Sequence, residues 1–185
     1  SEALNRLHTG GLATLGDLLY TWAGPVPAVV VTVILTGLLL LVSRSTRIAS
    51  TFAVTIAVTW LSMAVVKLAV DRPRPDAALL TLPYHPIQHD ASYPSGHAAF
   101  LTVLAFALVS LIRRQTARVT AAVAAALLVA SAALLLTIDA VHFPTDVVAS
   151  VVWVLGVAPL VRALWVRVVL PRLFRPTVRS MTVHD

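Results

Sequence analysis

Cysteine is missing from this 185-residue chain, lysine occurs once, at Lys67, and charged side chains make up only 12% of the whole. Without cysteine there are no disulfides, thiolate metal sites or cysteine nucleophiles. The shortage of charge argues against an ordinary soluble domain, in which about a quarter of the residues are charged. What the chain has instead is apolar sequence, 58% of it. The apolar residues arrive in blocks at 26–43, 49–70, 98–112, 118–138 and 147–170. Several blocks reach the roughly 17–25 residues that cross about 30 Å of hydrocarbon as a helix. The third is short unless it begins inside the motif that precedes it.

These blocks predict an all-α, polytopic membrane helix bundle over 26–170 with five visible spans. Ahead of them, Leu12, Leu15, Leu19 and Trp22 recur at helical spacing beside Asp17, a pattern suited to an interfacial helix within 1–25. Gly24, Pro25 and Pro27 punctuate the entry to the first span. Residues 171–185 read as a basic cytoplasmic tail. No secretory signal or transit peptide is visible. The net charge of +6 does not indicate nucleic acid, because the arginines sit in short loops rather than along one face.

Loop charge predicts orientation. Arg44 and Arg47 follow the first span, Arg113, Arg114 and Arg118 follow the third, and Arg172, Arg175 and Arg179 lie in the tail. The positive-inside rule assigns all three groups to the cytoplasm. The loops 71–97 and 139–146 then share the other face, with Asp71, Asp76, Asp90, Asp139, Asp146 and four of the six histidines. The chemistry is expected outside. Five spans also put the visible N-terminus outside, and a sixth, upstream span is expected to return the start to the cytoplasm.

Three constellations lie on that face. Lys67 is followed by Asp71-Arg72-Pro73-Arg74-Pro75, where the prolines stop the helix and hold three cations within a few residues. Guanidinium groups grip phosphate oxygens bidentately and lysine adds a point charge, although such a cluster could equally bind lipid headgroups. Pro94-Ser95-Gly96-His97 opens the third span, with Ser95 as an N-cap. A helix start beside glycine also offers N–H groups to an anion, and His97 can exchange a proton near neutral pH. His142-Phe143-Pro144-Thr145-Asp146 opens the last span. If that turn is helical, Asp146 shares a face with His142 and can bind one imidazole nitrogen, leaving the other as a nucleophile.

Taken together, Lys67 with Arg74-Pro75, then Pro94-Ser95-Gly96-His97, then His142 with Asp146 resemble the three-part signature of the type 2 phosphatidic acid phosphatase family, over roughly residues 10–165. The resemblance implies a six-helix membrane bundle with a metal-independent site at its outer surface. It implies that His142 forms a phosphohistidine, Asp146 orients it, and His97 protonates the leaving oxygen and later activates water. Lys67, Arg74, Ser95 and the Gly96 N–H would hold the phosphoryl oxygens.

The family's third motif normally carries an arginine six residues before the histidine, where this chain has Leu136, preceded by Leu135. No arginine or lysine occurs between Arg118 and Arg162. Three readings fit: Arg72 supplies the charge, the substrate needs fewer contacts, or the chain binds a phospholipid without hydrolysing it. His85, His89 and Asp90 are candidate metal ligands, but Pro83 and Pro86 argue against the helix that would align them, so neither metal nor cofactor is expected. An intramembrane hydrolase using Ser95 leaves the lone lysine and paired arginines without a role. The Trp residues at 22, 60, 153 and 165 read as interfacial or packing residues, and the loop 71–97 as a wall of the substrate entrance. The expectation is a bacterial plasma-membrane phosphatase of a lipid phosphate, with a polyprenyl phosphate as the favoured substrate.

Overall fold

The computed structural model describes residues 2–85 and 88–173; Arg175 and Arg179 of the expected tail lie outside them. Among the described residues the chain is helical throughout, with no strand. Two helices, α1 (Glu2–Asn5) and α2 (Gly10–Trp22), precede the bundle of α3 (Pro25–Ser43), α4 (Thr46–Val70), α5 (Gly96–Val109), α6 (Gln115–Ile138) and α7 (Pro144–Leu164). A π-turn, Trp165–Val169, carries α7 into α8 (Leu170–Leu173).

The long helices start two or three residues ahead of most of the apolar blocks, because capping residues lie outside them. Ser45 accepts a hydrogen bond from the Ile48 N–H and Ser95 from the Ala98 N–H, each satisfying a donor that the helix start leaves open. Pro25 and Pro144 take first-turn positions, where the absent N–H costs nothing. Arg44 and Asp71 end α3 and α4 in the left-handed region, with φ of 51° and 43°.

Four helices are long and apolar enough to cross a membrane: Pro25–Ser43, Thr46–Val70, Gln115–Ile138 and the continuous Pro144–Leu173. The expected third span is different. At 14 residues α5 is about 21 Å long at 1.5 Å per residue, shorter than the hydrocarbon layer. It lies enclosed by α4, α6 and α7. Ala28, Ala99, Ala107 and Ala158 allow close approach around Phe52, Phe100, Val103 and Val154, the small-residue packing that serves helices in lipid. Large apolar side chains cover the outside instead, such as Val42, Leu68 and Leu128. Many helical threonines return their hydroxyls to the carbonyl four residues back, as Thr32, Thr55 and Thr102 do, which satisfies them where water is absent.

The N-terminal helices pack onto one end of α6. Asn5, fully buried, donates to the Leu82 and Ile138 carbonyls at 2.9 and 3.3 Å and accepts from the Leu82 N–H at 2.8 Å. Leu12, Leu15, Leu18 and Trp22 of α2 stay exposed, while Gly16 and Tyr20 face inward. Gly16 sits directly against the Asp139 carboxylate, which a Cβ at this position would strike.

Asp139 is fully buried, and its oxygens find no hydrogen bond among the described residues. His8 Nε2 lies 3.6 Å from Asp139 and 3.5 Å from Asp17. Burial pushes the Asp139 carboxyl up to about 7, with His8 opposing and Asp17 assisting. The folded chain therefore keeps a proton that the unfolded chain, titrating near 3.8, gives up. Its contribution to stability declines as pH rises from about 4 to about 7. Asp139→Asn removes this dependence. Thermal unfolding in detergent should show the variant gaining on the wild type across that window and holding a constant advantage above it; parallel curves would contradict the assignment.

Candidate active site

Three segments meet at the end of the bundle where α4 stops and α5 and α7 begin. The chain after Val70 turns back on the segment before α5: the Ser92 N–H donates to the Arg72 carbonyl at 2.7 Å and the Ser92 hydroxyl to the Pro73 carbonyl at 3.0 Å. The Ser95 N–H donates to the Asp146 carbonyl at 3.4 Å, tying the start of α5 to the start of α7. Trp60, on α4, donates from its indole to the Gly96 carbonyl at 3.0 Å. The polar groups at this junction are buried, and nearly all are matched to partners.

His142 is fully buried just before α7. Its Nδ1 lies 2.8 Å from the Ser92 carbonyl, an acceptor only, so Nδ1 carries the proton and Nε2 the lone pair. Burial holds the imidazole below the ordinary histidine range, with Arg74 assisting and Asp146 and the Ser92 carbonyl opposing. The ring is therefore neutral at pH 7. The direct bond to Asp146 expected from the spacing is not made, the closest approach being 3.8 Å. Phe143 is the N-cap of α7, so His142 lies outside the helix and the four-residue spacing does not stack the two side chains. Asp146, also fully buried, accepts instead from the Phe143 N–H and from Arg72 Nη1, both at 2.9 Å.

Arg72 also bonds the Thr145 hydroxyl at 2.8 Å, and its guanidinium lies 4.0 Å over the Phe143 ring. The structure thus places it behind the histidine, on the carboxylate, rather than beside the other cations. Leu136, where the family's arginine would stand, is fully buried in an apolar cluster with Tyr20, Ala98, Val141 and Val147. Ser95 is buried too, its hydroxyl turned to the Ala98 N–H, which makes it a cap with no displayed oxygen.

His97 faces His142 with ring centroids 6.2 Å apart. Its Nε2 donates to the Tyr20 carbonyl at 3.1 Å, and the Tyr20 ring stacks on it at 4.1 Å and 25°. Nδ1 is left to exchange a proton. Arg74 spans the two sides: Nη1 donates to the Val141 carbonyl at 2.6 Å and approaches His142 Nε2 at 3.5 Å. Its Nε and Nη2 bond Asp90 Oδ1 at 3.1 and 2.8 Å. Lys67 holds the other Asp90 oxygen at 2.5 Å. Burial alone would raise the Asp90 carboxyl, but the Lys67 bond and Arg74 outweigh it and hold the group below its usual range. A cavity of about 440 Å³ adjoins these groups, lined by Lys67, Arg74, Asp90, His97, Tyr20 and Trp60.

Sequence reasoning brought Lys67, Arg74, Gly96, His97 and His142 to one place, and they are in one place. It missed Asp90 as the partner of both cations, although an acid seven residues before His97 on the charged face was a visible signal. It also missed Tyr20 and Ser92, whose backbone carbonyls do the holding and leave no mark in side-chain identity. His85 and His89 gather no ligand set, and no metal-binding cluster occurs among the described residues.

No curated protein and no solved structure matches the chain. The sequence profile of the PAP2 superfamily matches residues 28–169, from the second helix turn of the bundle to its last π-turn. With that match covering most of its length and all three converging segments, the chain belongs to the PAP2 superfamily, whose members act as phosphatases on phosphate esters.

Proposed function

We propose that the protein is a membrane lipid phosphatase or diphosphatase that works through a phosphohistidine on His142 and needs no metal. The observation that carries the reading is the facing of two imidazoles 6.2 Å apart beside Lys67 and Arg74. A phosphoryl group seated between the rings would lie within reach of both, and geometry is the first requirement of such a pair.

In the first step His142 Nε2 attacks phosphorus and the bond to the lipid oxygen breaks. That oxygen takes a proton from His97, and Arg74 and Lys67 hold the equatorial oxygens as charge redistributes. In the second step water attacks phosphorus and gives its proton to His97, the P–N bond breaks with its electron pair returning to His142 Nε2, and phosphate leaves. Asp146 and Arg72 brace the turn that carries His142, and the Gly96 N–H at the start of α5 faces the same charge. The substrate is a glycerolipid or polyprenyl phosphate, the latter favoured for a bacterial envelope. The acidic loops and basic loops lie at opposite ends of the bundle, which supports an extracytoplasmic site in the plasma membrane.

The second reading, a relative that binds phospholipid without hydrolysing it, is favoured by the apolar burial of Leu136 and the engagement of Arg72 elsewhere. Phosphate release from a panel of lipid phosphates separates the two. Release by the wild type should survive EDTA and fall by about 10³-fold or more in both His142→Ala and His97→Ala. A chelator-sensitive activity would sink the metal-independent mechanism, and no release from any lipid phosphate would favour the silent relative.

Asp90 supplies a finer test. Its carboxylate occupies the same two cations that a phosphate would, so substrate has to displace it. Asp90→Asn should lower KM by about three- to tenfold with a much smaller change in kcat, the modest size reflecting an exposed ion pair. A raised KM would mean that Asp90 orients the cations instead of competing for them.

A further inference from the structure

None of the three motifs lies on α2, yet that helix reaches the histidines. Tyr20, buried in its last turn, meets His97 twice. Its carbonyl accepts the His97 Nε2–H at 3.1 Å, and its ring lies on the imidazole with centroids 4.1 Å apart and planes 25° apart. His97 is the second residue of α5. Helical side chains lean over the preceding turn, and at the second position there is no such turn to rest on. Tyr20 supplies the support instead: the carbonyl decides which nitrogen holds the proton, and the ring fixes the plane.

Tyr20 is itself held from several sides. Its ring packs with Ala98, Leu136, Val141 and Val147, and Tyr84, from the loop before α5, closes on it at 4.7 Å and 52°. Leu136 belongs to this seat, where a guanidinium would be a charge among apolar side chains. One turn earlier on the same face of α2, Gly16 lies against the Asp139 carboxylate with no room for a side chain, which brings the helix close enough for the stack. Burial pushes the Tyr20 phenol up to about 12, with Arg74 opposing. The hydroxyl therefore stays neutral at pH 7 and serves as neither acid nor base.

We infer that Tyr20 is a positioning residue for the reaction, and that α2 is a brace holding the His97 imidazole in the orientation that takes a proton from the attacking water. The inference rests on the phosphohistidine reading of the site. An aryl phosphate separates the two steps, because nitrophenolate leaves without a proton whereas water has to give one up. A misdirected His97 therefore slows the loss of phosphate from His142 and spares its arrival. A general fault in folding slows both or lowers the amplitude of both.

Rapid-quench kinetics of the full chain in detergent with p-nitrophenyl phosphate, the phosphohistidine being counted after an alkaline quench, test it. Tyr20→Leu should slow phosphohistidine decay about tenfold, part of what a well-placed base contributes, and change the nitrophenolate burst by less than about twofold. Tyr20→Phe, which keeps ring and carbonyl, should restore decay to within about twofold of the wild type. Gly16→Val, which lifts α2 from one turn away, should reproduce the effect of Tyr20→Leu. Decay at the wild-type rate in Tyr20→Leu and Gly16→Val overturns the inference, and so does equal slowing of burst and decay. A loss in Tyr20→Phe as large as that in Tyr20→Leu overturns it in favour of the hydroxyl. Failure of the wild type to form any phosphohistidine ends the mechanism on which the inference rests, and the inference with it.

Discussion

One hydrogen bond, from His142 Nδ1 to the Ser92 carbonyl at 2.8 Å, sets the terms for the rest of the site. A buried histidine must have its N–H satisfied, and the acceptor chosen decides which nitrogen is left basic. A backbone carbonyl cannot donate in return, so Nε2 is left with its lone pair, facing Arg74. The acceptor is itself held by two bonds to the chain after α4, from the Ser92 N–H and hydroxyl to Arg72 and Pro73. The tautomer of a side chain just ahead of α7 is thus fixed by the packing of the segments that follow α4 and precede α5. Loss of that packing would free the ring before it disturbed the membrane helices.

The charges around the ring are arranged so that none stands alone in a poorly solvated place. Arg72 goes to Asp146, Arg74 and Lys67 go to Asp90, and the carbonyls of Val141 and Tyr20 take the remaining strong donors. An unpaired ion here would cost several kcal/mol, so pairing is expected wherever the geometry permits it. The two carboxylates are nevertheless different. Asp146 is fully buried and locked by its own helix start, whereas the Asp90 side chain is 54% exposed and sits on a loop. The exposed partner is the one that can leave, which makes the Lys67–Arg74 pair the natural landing point for an incoming anion and Arg72 a fixed brace.

Much of this was legible in the sequence because membrane and motif signals are local. Span lengths follow from apolar runs, helix starts from Ser45, Ser95, Pro25 and Pro144, and the convergence of three motifs from their shared face. The errors came where a rule assumed a neighbour. The His142–Asp146 spacing implied a shared helical face, but the helix begins one residue too late for it. Arg72 and Arg74 looked equivalent in Arg-Pro-Arg-Pro, yet the two point to opposite sides of the imidazole, a distinction decided by tertiary partners 16 and 74 residues away. The short α5 was ambiguous because its first turn lies inside a polar motif and its last turn ends at Ser110.

That short helix links the two ends of the molecule. Its first turn must present His97 at one boundary, and 14 residues cannot reach the other, so the fold has to close the far end by other means. The gap left there is lined by Arg47, Arg113 and Arg162 together with apolar side chains such as Ile48, Phe52 and Leu170. Arginines thus stand at both ends of one buried helix, with histidines beside them at only one.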